Sequence, residues 1–147
     1  MTQAEILAAV QADPALVALV PDTQAIADAL SVGRKRLVER MAGRGTAMKY
    51  IGGDAGAALV EAIRVMAETE GTPLKIKLSY ELLLNNELDL GLPEVRDMLD
   101  YFAANESIPG FTQEHANTLK ALAEIDDPVS EFDVRRALLN DDGTWRV

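Results

Sequence analysis

The sequence predicts a mainly α-helical protein: a single domain over residues 1–147, built as one compact bundle of about seven or eight short-to-medium helices. Three observations support this prediction. Hydrophobic residues make up 48% of the chain but aromatic residues only 5%, so the core must be aliphatic, which suits packed helices. Apolar residues recur at helical spacing between proline, glycine and polar caps. No long linker and no internal repeat interrupts the chain.

Cap and stop residues predict three helices in the first part of the chain, over residues 3–12, 15–20 and 22–30. Each begins with a side chain that can accept a hydrogen bond from the first free N–H groups of the helix. These signals are the capping box Thr2-x-x-Glu5, Asp13 before Pro14, and Asp22. Gly33 follows the third helix as a plausible stop.

Residues 34–41 are ambiguous between helix and strand, because Leu37, Val38 and Met41 fit a helical stripe while Val38 and the flanking glycines allow a strand. We favour extended structure. The sequence also allows one short two-stranded ribbon, with residues 35–41 paired to residues 144–147. A short helix is predicted over 46–51, within a glycine-rich stretch.

Two long helices are predicted over residues 54–70 and 73–86. The second is apolar on nearly every side, which is typical of a helix surrounded by others, and we expect it to be the hub of the core. Thr72 and Pro73 are the predicted N-cap and first residue of this helix. Its apolar residues are Leu74, Ile76, Leu78, Tyr80, Leu82, Leu83 and Leu84.

The remainder of the chain alternates turns with helices. Residues 88–92 are predicted as a turn, and helices are predicted over 93–105, 112–125 and 130–140, the last with Phe132 and Ala137 in its apolar stripe. Residues 140–143 are turn-forming.

The net charge is −10 but is unevenly distributed. Residues 34–49, called the basic segment below, contain six basic residues and one acidic residue, whereas residues 85–142 contain fourteen acidic and four basic residues. The basic segment is either a solvated connector or a docking patch for an acidic partner or a second copy. A lone Trp near a terminus either packs on the core or contacts a partner. The predicted protein-binding residues are Arg34, Lys35, Arg36, Arg40, Arg44, Lys49 and Trp145.

No catalytic, cofactor-binding or metal-binding residue is predicted, and we do not expect an enzyme. The chain has no Cys, and its single His, His115, lies near a predicted helix cap, so neither a zinc site nor a Ser-His-acid triad is supported. Asn85-x-Glu87-x-Asp89 starts like a calcium loop but has Leu90 and Arg96 where such a loop needs Gly and Glu. The glycines match no phosphate-binding motif.

Membranes and nucleic acids are not expected as partners. The longest apolar run, residues 15–20, is far shorter than the roughly 20 residues that span a bilayer, and Met1–Glu5 does not have the basic start of a secretory signal. We therefore expect a soluble protein. The negative charge opposes contact with phosphates.

Several short stretches together resemble a family of small tailed-phage proteins encoded among virion structural genes. They are Ala12-Asp13-Pro14-Ala15-Leu16, Ala29-Leu30-Ser31-Val32-Gly33-Arg34, Leu88-Asp89-Leu90-Gly91, Leu119-Lys120-Ala121-Leu122-Ala123, Asp127-Pro128-Val129-Ser130, Asp133-Val134-x-x-Ala137-Leu138 and Asn140-Asp141-Asp142-Gly143. The resemblance covers most of the chain and includes no chemical motif. It implies a virion- or tail-associated protein without enzymatic activity, and it brings no catalytic residues.

The leading hypothesis is therefore a phage structural or assembly protein that binds other virion proteins or itself, and that is found in the virion or in the host cytoplasm during assembly. An alternative is a phage-encoded inhibitor of a host defence or DNA-binding protein, acting through the acidic C-terminal half. A third hypothesis, an enzyme with a divalent metal on oxygen ligands, requires carboxylates clustered in a cleft.

Overall fold

A computed structural model of the chain describes residues 1–104 and 108–147, and helices make up 60% of the structure. The prediction of a mainly α protein is thereby confirmed. The helices are α1 (Gln3–Ala12), α2 (Pro14–Val17), α3 (Thr23–Ser31), α4 (Arg44–Ile51), α5 (Gly53–Glu68), α6 (Leu74–Leu84), α7 (Pro93–Ala104), α8 (Gln113–Ala121) and α9 (Glu131–Leu138). The strands are β1 (Lys35–Leu37), β2 (Met41–Ala42), β3 (Leu88–Asp89) and β4 (Glu124–Asp126).

Most helices begin where a local side chain satisfies their first N–H groups. At α1 the Thr2 N–H donates to Glu5 Oε2 at 2.7 Å and the Glu5 N–H donates to Thr2 Oγ1 at 3.3 Å, so the predicted capping box is confirmed. Asp22 and Thr112 cap α3 and α8 in the same local way. Thr72 does not cap α6, which begins without a side-chain cap.

The strands correct three predictions. Residues 35–37 are extended as expected, but β1 pairs with β4, not with residues 144–147, where Trp145 forms a single bridge with Leu139. Residues 88–89 form β3, antiparallel to β2, instead of a simple turn. The helix predicted over 112–125 ends at Ala121 because residues 124–126 form β4.

The described chain divides into two compact units, each with its own core. Unit 1 comprises Met1–Arg36 and Asp126–Val147. In it α9 packs against α1 and α3, and α1 packs against α2. Its buried core residues are Ile6, Val10, Ile26, Ala27, Val129, Val134, Ala137 and Leu138.

Unit 2 comprises Leu37–Ile125. Here α4 packs against α5 and α8, α5 also packs against α6, and α7 packs against α8. The approach of α4 and α5 is close because Gly56 of α5 lies against the backbone of Met48. Leu59, Ile63, Leu99 and Phe102 are among the buried residues of this core. The prediction of a single domain over 1–147 stays a prediction.

Candidate functional site

Helix α6 is not the enclosed hub that its composition suggests. Only Leu83 on this helix is buried, at 3% exposure, whereas Leu74, Leu78 and Leu82 are 69%, 46% and 37% exposed. The reason is that α6 packs against α5 and β3, while its outward side remains uncovered. Leu74, Leu78 and Leu82, called the leucine ridge below, follow one another at four-residue spacing and so form a single ridge on that side.

Backbone hydrogen bonds close the C-terminal end of α6. The Glu87 N–H donates to the Leu82 carbonyl at 2.8 Å and the Asn86 N–H to the Leu83 carbonyl at 3.4 Å. Asn86 adopts a φ of 59°, a left-handed conformation that Asn tolerates better than most residues. This arrangement is a Schellman cap, and β3 begins directly after it.

A groove of about 670 Å³ lies between α6 and α7. Lys75 and Ser79 line it on α6, which places the groove about 100° around this helix from the leucine ridge. Helix α7 packs on α8 while α6 packs on α5, and the groove lies between the first turns of α6 and the side of α7 that carries Val95 and Phe102. We call it the α6–α7 groove. Its lining residues are Met66, Thr72, Pro73, Lys75, Ile76, Ser79, Glu94, Val95, Asp97, Met98, Tyr101 and Phe102.

Charged side chains lie in and beside this surface. Lys75, Glu94 and Asp97 line the groove, and Glu81 is exposed on α6. None of the four forms an ion pair with another residue of the described ranges. An apolar centre with a charged, solvated rim is the usual composition of a protein-binding surface.

The part of the basic segment in unit 1 is largely neutralised by neighbouring acids. Arg34 forms an ion pair with Asp127, and its Nε also donates to the Asp127 carbonyl at 3.1 Å. Lys35 forms an ion pair with Asp126. Arg36 is exposed. Arg34 and Lys35 therefore contribute less positive potential than their number in the sequence suggests.

The part of the basic segment in unit 2 is held by backbone contacts while its charged groups remain exposed. The Arg40 N–H donates to Asp89 Oδ1 at 2.8 Å, and the Leu90 N–H donates to the Arg40 carbonyl at 2.9 Å. Arg40, Arg44 and Lys49 are exposed, and Lys49 Nζ lies 5.3 Å from the centre of the Tyr50 ring. The backbone just before β2 is thus hydrogen-bonded to residues of and next to β3.

Trp145 lies half-buried against the core of unit 1 and bridges Leu139. This position corresponds to the core-packing alternative for a near-terminal Trp.

A second group of exposed residues, in unit 1, was not recognised from the sequence. Phe132 was expected in the buried stripe of α9, yet it is 65% exposed, and the Arg136 guanidinium lies 5.5 Å from its ring centre. Arg135, Arg136 and Arg146 line a shallow cleft of about 390 Å³ with Phe132. The net acidity of residues 85–142 conceals this local run of arginines.

Some acidic side chains of the C-terminal half form ion pairs within the chain. Lys120 Nζ donates to Asp100 Oδ1 at 2.6 Å, and Gln113 Nε2 donates to the same oxygen at 2.7 Å. The Lys120 hydrogen bond lowers the pKa of Asp100, partial burial opposes this, and the Gln113 bond lowers it further. Arg96 pairs with Glu124. These acids, like Asp126 and Asp127, are not free to bind a basic partner without losing an existing contact.

Within residues 1–104 and 108–147, no group of three or more acidic or His side chains is placed to hold a metal ion. Over the same ranges, none of the helices combines the length and apolar character needed to cross a membrane.

His115 accepts a hydrogen bond from the Thr112 N–H through Nδ1 at 3.2 Å, so it completes the cap of α8.

Comparison with known proteins finds no matching protein family, no matching curated protein and no matching solved structure.

Proposed function

We propose that this chain is a non-enzymatic binding protein that contacts another protein through the leucine ridge and the α6–α7 groove. The observation that supports this proposal is the exposure of Leu74, Leu78 and Leu82 on a helix whose opposite side is buried. Large apolar side chains grouped beside a groove mark interaction surfaces, whereas scattered ones do not.

Burial of the leucine ridge contributes a modest free energy to binding. Burying a Leu side chain fully contributes about 1.5–3 kcal/mol, so covering the exposed parts of the three leucines contributes roughly 2–5 kcal/mol. Association itself costs at least about 4 kcal/mol. The ridge alone is therefore insufficient, and contacts in the adjacent groove, with Met98 and Tyr101 among its lining residues, must add to it.

We propose a tailed-phage particle, or its assembly in the host cytoplasm, as the setting of this binding, with other virion proteins or a second copy as partner. The sequence resemblance to virion- and tail-associated phage proteins supports this setting. Four of the fourteen acids in residues 85–142 already form ion pairs within the chain, so the alternative, an inhibitor acting through its acidic surface, has only part of that charge available.

The setting is tested by quantitative mass spectrometry of purified particles and assembly intermediates from the phage that encodes the chain. We expect the chain in one of these fractions at a fixed ratio to the structural proteins. Its absence from all of them, together with co-purification of a host nuclease or polymerase, would support the inhibitor alternative.

The surface is tested by Leu78→Glu, with Leu92→Glu as the matched control. Both residues are 46% exposed and both lie in unit 2, but Leu92 is outside α6 and does not line the groove. We expect Leu78→Glu to reduce incorporation at least tenfold while Leu92→Glu is incorporated normally, with both variants retaining wild-type circular dichroism. Equal incorporation of both would refute the proposed surface.

A further inference from the structure

The leucine ridge has charges of opposite sign near its two ends. Lys75 lies three residues before Leu78 and Glu81 lies three residues after it, and both are exposed. With about 100° of rotation per residue, they lie about 60° to either side of Leu78 around the helix axis. The centre of the ridge thus has a basic residue toward one end and an acidic residue toward the other.

We infer that the partner of this surface is a second copy of the chain, with the two α6 helices crossing antiparallel at Leu78. This inference rests on the proposed function and names the partner of the same site. A two-fold axis at Leu78 places Leu74 of one copy near Leu82 of the other, so the ridge is complementary to itself, as a symmetric dimer interface requires.

The charges select the antiparallel arrangement. In it Lys75 of each copy lies at the level of Glu81 of the other, so two opposite-charge contacts form per dimer. In a parallel arrangement each Lys75 would face Lys75 and each Glu81 would face Glu81, which is unfavourable. Within the described ranges neither residue has an ion-pair partner in its own chain, so neither loses a contact on association.

The small contact area of the leucine ridge limits the expected affinity of the dimer. An 11-residue helix is only about 16 Å long, and a contact of that length is small compared with the roughly 800 Å² per partner of a stable interface. The α6–α7 groove lies about 100° around α6 from the ridge, and a partner chain that also reaches it enlarges the contact. We therefore expect a reversible dimer with a Kd of about 10–100 μM.

The test is sedimentation velocity of the full-length chain over about 1–500 μM, with the single variants Lys75→Glu and Glu81→Lys measured alone and as an equimolar mixture. Each variant alone puts like charges together at both ends, and we expect its dimer to weaken about tenfold. The mixture restores opposite charges at both ends, and we expect wild-type affinity. Leu78→Glu should be monomeric, and Leu92→Glu should dimerise normally.

A mixture no stronger than either variant alone, or a wild-type chain that stays monomeric at 500 μM, would overturn the second-copy inference. If the chain is monomeric while Leu78→Glu still abolishes incorporation into particles, this inference fails and the proposed function stands. If dimers form as expected but Leu78→Glu is incorporated normally, the inference holds and the proposed role in incorporation fails.

Discussion

Leu74 and Leu83 lie on opposite sides of α6. They are nine residues apart, which is about two and a half turns, and Leu83 is 3% exposed whereas Leu74 is 69% exposed. One helix therefore presents leucine both to the core of unit 2 and to solvent. The two faces have similar composition but different surroundings. Substitutions on the buried face therefore report on the stability of unit 2, and substitutions on the exposed face report on its binding.

We expect Leu83→Ala to lower the free energy of unfolding by about 2–4 kcal/mol, since it leaves a cavity in the core. Leu74→Ala should change it by less than about 0.5 kcal/mol, because the side chain is mostly exposed in the folded chain as well. Urea denaturation followed by circular dichroism measures both. A loss at Leu74→Ala comparable to that at Leu83→Ala would show that the outer face of α6 is already covered within the chain.

The sequence could predict most of the helices because their signals are local. A cap such as Thr2 with Glu5 acts within one helical turn, so the residues that determine it lie side by side in the sequence. The partner of β1 could not be predicted in the same way. Residues 35–37 and 124–126 are almost ninety positions apart, and their pairing depends on packing that no local pattern encodes.

The candidate site was missed for a related reason. A helix that is apolar on all sides has the same sequence pattern whether its neighbours enclose it or cover only one face. The composition of α6 therefore could not distinguish a central helix from one with an exposed binding face.

The basic segment could not be interpreted from local sequence either. Its charges are evident, but nothing near Arg34 in the sequence indicates that Asp127 would neutralise it.

Gly56 provides a test of the close packing between α4 and α5. A Cβ at this position would lie 2.6 Å from the Met48 backbone, a distance at which one helix must shift. We therefore expect Gly56→Ala to lower the free energy of unfolding by about 1–3 kcal/mol, measured by urea denaturation.

Gly45→Ala is the matched control, because a Cβ at Gly45 in α4 meets no atom within 4 Å. Since Ala favours helix more than Gly, this variant should be neutral or slightly stabilising. A Gly56→Ala protein as stable as Gly45→Ala would contradict the close approach of the two helices.

The ion pair between Asp100 and Lys120 predicts a pH dependence of stability. Because the pKa of Asp100 is lowered in the folded chain, its contribution is present above the unfolded pKa of about 4 and is lost as the pH falls through the folded value. The pair is partly solvated, so at pH 7 we expect Asp100→Asn to cost only about 0.5–1 kcal/mol. The difference from wild type should shrink progressively below about pH 4.

Denaturation of both proteins between pH 2.5 and 7 checks this sign, using buffers about 0.5 pH units apart so that the pKa window near 4 is sampled. Asp97→Asn, on the same helix, is the control, because Asp97 forms no ion pair within the described residues. A stability difference for Asp100→Asn that stays constant down to the lowest pH would rule out the proposed linkage.

Charge reversal in the basic segment distinguishes a docking patch from a solvated surface. Arg40, Arg44 and Lys49 lie in unit 2 and form no ion pair within the described ranges, whereas Arg34 in unit 1 pairs with Asp127. If an acidic partner docks there, the combined change of the three unit 2 residues to Glu should weaken association at least tenfold, and the wild-type interaction should weaken with added salt. Stability should be nearly unchanged, since the triple change breaks no ion pair of the described residues and removes only the exposed contact of Lys49 with the Tyr50 ring. Arg34→Glu, by contrast, should destabilise unit 1 because it places a second acid beside Asp127. Association that is insensitive both to the triple change and to salt would identify these residues as solvated and leave the leucine ridge as the sole proposed contact.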